Sequence, residues 1–152
     1  MLRLSGRIRR PDYFLCTMRQ ELKSSLNKVY LTIETDLENR WIFADWQGYL
    51  TADNIKTGAQ AYVKVLAESG FSCVLCDTRS VRGPWDHSMN WVINDWAPSA
   101  SKAGLEHFAM ITTPNSFADG SAANFYAQLT AFKAQVFDNL STAREWLSKY
   151  NR

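Results

Sequence analysis

The parts of this 152-residue chain that could do chemistry are two closely spaced cysteines, two histidines, and a six-residue run mixing acid, hydroxyl and arginine. Cys73-x-x-Cys76 has the spacing of a redox pair, but such a pair needs its first thiol exposed at a helix N-terminus. Both cysteines instead fall in the apolar run Phe71–Cys76, which reads as a strand, and their spacing turns the side chains to opposite faces. They are expected to be buried and inert. A zinc site would need more ligands at suitable spacing, and neither His87 nor His107 has a second His or a Cys close by. The chain has no G-x-S-x-G, no H-E-x-x-H and no glycine-rich phosphate loop, and spacing forces no two carboxylates together. The reading assigns no catalytic residue, metal ligand or cofactor, and expects a protein that is not an enzyme.

The run Asp77-Thr78-Arg79-Ser80-Val81-Arg82 follows the apolar strand and precedes a helix. In open α/β sheets, ligands and partners bind at the carboxyl ends of strands. Asp77, Thr78, Arg79, Ser80 and Arg82, read as a turn, are candidates for holding an anion or accepting a phosphate. The plain alternative is a solvated turn with a local Asp–Arg bond. The helix that follows is loaded with tryptophan. Trp85, Met89, Val92, Trp96, Ala100 and Ala103 form its sheet-facing side, while His87, Trp91, Asn94 and Asp95 fall on another. Trp85, His87, Trp91 and Asp95 are candidates for an interface, with packing against a neighbouring helix as the other reading of Trp91.

These residues need a scaffold. Val29–Ile33 and Arg40–Trp46 alternate like strands around a polar turn at Asp36–Asn39, a hairpin pattern. Thr51 is placed to cap a helix whose Ile55, Ala59, Tyr62, Val63 and Leu66 share one face, and Gly70 to end it. The Phe71–Cys76 run then suits a central strand covered on both sides. Pro98 should bend or interrupt the tryptophan helix. A strand at Phe108–Thr112 follows, then a helix marked by Ala122, Phe125, Leu129 and Phe132. A short strand at Gln135–Phe137 leads to a last helix capped by Ser141 and carrying Trp146, Leu147 and Tyr150. The order is β-β-α-β-α-β-α-β-α, an α/β fold with an open mixed sheet, an antiparallel edge and right-handed crossovers.

Composition narrows the function. Hydrophobic residues make up 46% and charged residues 21%, as in an ordinary globular domain, but six Trp are generous and need a thick core or a contact surface. The net charge of +2 is uneven: residues 1–28 are strongly basic and the rest is mildly acidic, a poor nucleic-acid binder. Residues 1–17 read as a basic tail, as translation begun upstream of a start at Met18, or as a membrane- or RNA-binding arm. Residues 18–152 read as one domain. Three cysteines are too few for a disulfide framework, and no apolar run spans a membrane or forms a signal-peptide core, so the expected location is the cytoplasm.

Three stretches carry a resemblance to a known family: VYLTIETDLENRWIFADWQGYLT, FSCVLCDTRSVRGPWD and NWVINDWAPSASKAGLEHFAMI. Across about residues 18–150 the chain resembles the STAS/SpoIIAA-like family, and within it a group of standalone bacterial single-domain members. The resemblance implies a β-α superhelical sheet and a non-enzymatic role. Sporulation members of the family are anti-anti-sigma factors that bind a kinase and are switched at a serine in an Asp-Ser pair after the central strand. Here that place reads Asp77-Thr78, with Ser80 two residues on, so the Asp matches and the serine does not.

The first functional expectation is a regulatory or protein-interaction module with a protein partner or a homodimer, using the 77–85 turn and the 85–96 helix. The second is a carrier of a small apolar, lipid-like ligand in an aromatic pocket beneath the helices, and the third, ranked last, is an enzyme without a recognisable motif.

Overall fold

The computed structural model describes residues 18–152, so the expectations for residues 1–17 lie outside the described residues. Six strands run in chain order across one sheet: β1 (Arg19–Lys23), β2 (Val29–Asp36), β3 (Trp41–Gly48), β4 (Cys73–Val81), β5 (His107–Ile111) and β6 (Lys133–Phe137). The first two pairings, β1–β2 and β2–β3, are antiparallel and the remaining three are parallel. The expected hairpin is β2–β3, closed at Asp36, whose carboxylate accepts from the backbone N and the side-chain Nδ2 of Asn39. β1 is an addition to the expected order. Its residues are exposed apart from a half-buried Leu22, so it has no alternating pattern to read, and it sits at the sheet edge where polar residues are tolerated.

Four helices complete the fold. α1 (Ala52–Ser69) joins β3 to β4. Thr51 caps it by accepting from Asn54 N while the Asn54 side chain accepts from Thr51 N, and Gly70 ends it with a left-handed φ of 76°. α2 joins β4 to β5. It starts as a tight 3₁₀ turn at Asp86–Ser88, passes through Met89–Trp91 and a π-helical Val92–Trp96, and ends as regular α-helix at Ala97–Lys102. Pro98 does not break the helix. A proline ring clashes with the carbonyl four residues back, here that of Asn94, and the wider π turn just before it relieves the clash. α3 (Phe117–Gln128) joins β5 to β6 and α4 (Leu140–Leu147) closes the chain.

Two ends differ from the sequence reading. Leu129 leaves α3 with an extended backbone, so Phe132 lies beyond the helix, yet it still reaches the core beside Trp96 and Phe108. α4 is capped by Asn139, which accepts from Thr142 N, and not by Ser141; Tyr150 lies past its end.

The sheet separates two apolar layers. Ile42, Ala44, Trp46, Val74, Cys76, Phe108 and Met110 pack under α1, α2 and α3. Trp41, Cys73, Leu75, Ala109 and Ile111 pack under α4. The two cysteines therefore face opposite layers, as their spacing requires. With β3 to β6 adjacent and parallel, and their crossover helices on one face, all three crossovers have the same hand.

Candidate functional site

β4 runs further than the sequence indicates. It continues through the charged residues to Val81, pairing Ser80 and Val81 with Gln47 and Gly48 of β3, so most of the expected 77–82 turn is strand. The charges are accommodated locally. Asp77 is buried, and its two carboxylate oxygens accept from Arg79 N (3.0 Å), Nε (3.0 Å) and Nη2 (2.8 Å). The pairing holds the Arg79 guanidinium above its usual pKa. Thr78 points into the opposite layer, is buried, and donates its hydroxyl to Ile111 O at 2.7 Å. Ser80 and Arg82 are exposed. An anion site built from both arginines is thus reduced: Arg79 is committed to Asp77, while Arg82 makes no side-chain hydrogen bond or ion pair among the described residues. The turn proper is Arg82–Pro84, with Gly83 at φ 78° beside the exposed Tyr49.

Trp85, expected at an interface, is 7% exposed and belongs to the core. Its backbone N donates to Ser121 Oγ of α3 at 2.9 Å, which fixes the start of α2. His87 is exposed, with Nδ1 3.1 Å from Ser88 Oγ. Trp91 is half-buried in a groove between α1 and α2 with Gln60, Lys64, Asp95 and Ser99, and the Lys56 ammonium lies 5.7 Å from its ring centre. Asp95 itself is exposed. The interface candidates do not form one patch: Trp85 is inside, Trp91 is partly covered, and His87 and Asp95 are in solvent.

What the fold assembles instead is a cavity of about 50 Å³ between the sheet and the three-helix layer. Its wall includes Trp46 of β3, Tyr62 of α1, Thr78 of β4, Trp85 just before α2, Trp96 of α2 and Phe125 of α3. The rings touch in series: Trp46–Tyr62 (6.3 Å), Tyr62–Trp96 (5.9 Å), Trp96–Phe108 (5.9 Å), Phe108–Phe125 (5.7 Å) and Phe125–Trp85 (5.9 Å). All five meet edge-on or tilted, the geometry aromatic quadrupoles favour. The π-helical turn supplies Val92 and Trp96 to this wall, and Trp96 Nε1 donates to Ala59 O at 3.1 Å. No charged residue lines the cavity. Burial drives the Tyr62 hydroxyl and the Cys76 thiol well above their ordinary pKa values, so both stay neutral. The individual residues come from six separate elements and the segments that join them. The sequence signalled the site only through its abundance of aromatics.

A second feature escaped the sequence. Asp45 of β3 stands beside Asp77 of β4 in the parallel register. Burial, with the Asp77 charge adding to it, pushes its carboxyl up to about 6, against smaller lowering effects of Arg79 and Arg19. No group of three or more His, Cys, Asp or Glu among the described residues is placed to hold a metal ion. No helix there is long and apolar enough to cross a membrane.

An open sheet with three same-handed β-α units on one face and a short helix on the other defines an α/β domain of the SpoIIAA type. The family model described as SpoIIAA-like matches residues 41–148, and the chain belongs to that family. Among solved structures, it is similar to an uncharacterized protein of the DUF3478 family with a SpoIIAA-like fold from Shewanella loihica PV-4. The TM-score is 0.50 at 18% identity, covering 77% of this chain and 91% of that one. Among curated proteins, none matches the chain.

Proposed function

We propose that this protein is a non-enzymatic binding module that holds a small apolar molecule between its sheet and its three-helix layer. The cavity carries this reading. Protein interiors pack with few voids larger than a water molecule, yet this core keeps a ring-lined void where α2 departs from α-helical geometry. π-helical turns of this kind recur at functional sites. At about 50 Å³ the cavity is far below the roughly 300–1,000 Å³ of established ligand pockets. Loading therefore needs the wall to move apart.

The test is a titration with α-methylstyrene, a small uncharged hydrocarbon, followed through the tryptophan indole resonances. Wild type should bind saturably, and Ala59→Val, which adds two methyl carbons to the α1 wall, should bind at least several-fold more weakly while staying folded. Equal binding by both proteins would place the probe elsewhere.

A second reading, a cytoplasmic regulatory module acting through a protein partner or a second copy, is favoured by Ser80. It is the hydroxyl left open at the carboxyl end of the central strand, between the exposed Arg79 and Arg82, whereas Thr78 is buried and hydrogen-bonded. Phosphoproteomics with good coverage of this peptide should find Ser80 modified and Thr78 unmodified; an unmodified Ser80 counts against the switch.

A further inference from the structure

We infer that the molecule held in the cavity carries a hydrogen-bond acceptor, and that the indole N–H of Trp85 is the donor that meets it. This rests on the cavity being the binding site. Trp85 lines the cavity, is 7% exposed, and its Nε1 is buried with no hydrogen-bond partner among the described residues. Trp96, on the same wall, satisfies its own Nε1 on Ala59 O. Buried indoles usually find an acceptor, and a buried donor left alone is costly, so an unused N–H on a ring that lines a void points to a ligand atom as its partner.

The rest of the wall defines the ligand's chemistry. The Thr78 hydroxyl spends its proton on Ile111 O. No lysine, arginine, histidine or carboxylate lines the cavity. An ionised ligand group would be buried there without a counter-charge, so carboxylates and ammonium groups are excluded on energetic grounds. The class that fits is a neutral, mainly apolar molecule with a carbonyl, ester or ether oxygen. Water is a poor substitute: a buried water needs two to four polar partners, and this wall offers few. The donor is also held in place. The Trp85 backbone N is tied to Ser121 Oγ and its ring packs on Phe125 at 5.9 Å.

The experiment uses α-methylstyrene and acetophenone, which share a shape and differ by a CH₂ in place of the carbonyl oxygen. Affinities of both are measured for wild type and for Trp85→Phe, so that differences in probe hydration cancel in the double comparison. The ratio of acetophenone to α-methylstyrene affinity should fall about tenfold on removing the indole N–H, the scale of one hydrogen bond to an otherwise unpaired buried donor. In wild type, the Trp85 indole N–H resonance should move downfield with acetophenone and not with α-methylstyrene, a readout independent of the variant. If both probes bind wild type and the ratio and resonance are indifferent to the carbonyl, the donor role is wrong while the cavity site stands. If neither probe binds, the cavity reading fails, and this inference with it.

Discussion

Gly58 gives the sharpest test of how α1 is seated above the cavity wall. It is buried on the sheet-facing side of the helix, and a Cβ added there would lie 2.6 Å and 2.9 Å from Trp46 ring carbons and 2.8 Å from Leu31 Cδ2. Carbon atoms pack best at about 3.5–4.0 Å, so roughly 1 Å must be found. Trp46 has little room to give: it is 5% exposed and held between Tyr30 and Tyr62, each 6.3 Å away. Moving α1 outward instead would lift Ile55, Ala59 and Tyr62 off the sheet. Alanine in a helix interior gains about 0.5–1 kcal/mol over glycine, whereas overpacking a tight core costs about 1–3 kcal/mol. With contacts this short the upper part of that range applies, and Gly58→Ala should lose about 1–2 kcal/mol, a fall in Tm of roughly 2–8 °C for a chain of this size. Gly120 of α3 is the control: an added Cβ meets nothing within 4 Å. Gly120→Ala should therefore be stabilised by up to about 1 kcal/mol. Urea unfolding followed by circular dichroism and tryptophan fluorescence measures both. A stabilised Gly58→Ala, or two variants shifting in the same direction, would refute the packing argument.

Three further outcomes follow from the same geometry. The folded-state pKa of Asp45, about 6, lies above the unfolded value of about 3.9, so its favourable contribution is complete below pH 4 and disappears as pH rises through 6. Asp45→Asn should accordingly be more stable than wild type by about 1 kcal/mol at pH 7.5, after allowance for solvent screening of a half-buried group, with the gain vanishing near pH 4; an equal gain at both pH values would contradict this. Trp91→Ala should cost roughly 1–3 kcal/mol by uncovering the α1–α2 groove and leave the oligomeric mass unchanged, whereas intact stability with a changed mass would make Trp91 a contact anchor. Cys73 and Cys76 are buried with thiols raised above their usual pKa, so iodoacetamide should modify them only at the rate of unfolding; fast labelling of either in the native protein would overturn their assignment to the core.

The parts of the fold legible in the sequence are those where one physical demand dominates. Phe71–Cys76 is apolar apart from Ser72 because both faces of β4 are covered, and Thr51 and Gly70 are cap residues whose chemistry is local. The misread parts are those where tertiary contacts supply what the local sequence lacks. Arg19–Lys23 forms a strand because β2 offers it an edge, not because its residues favour one. Asp77–Val81 continues β4 because Arg79 neutralises Asp77 and β3 offers backbone partners, although the residues look like a turn. Pro98 signals a disturbance in α2 without saying that the helix would widen instead of breaking. The candidate site was the least legible. The expected surface at Asp77, Thr78 and Trp85 proves to be largely interior, because the periodicity that put Trp85 on the sheet-facing side also put it on the cavity wall. The unpaired Trp85 N–H has no signature in sequence at all, since it depends on which acceptors the fold leaves out of reach.

The central claim, that the ring-lined cavity is where a ligand sits, is tested most directly by intermolecular NOEs from bound α-methylstyrene. The account predicts contacts with the methyl groups of Ile55, Val92 and Met110, which come from α1, α2 and β5 and all line the cavity. A saturated complex whose contacts fall on outward-facing side chains such as Lys64 or Ser99, with those three methyl groups silent, would contradict it.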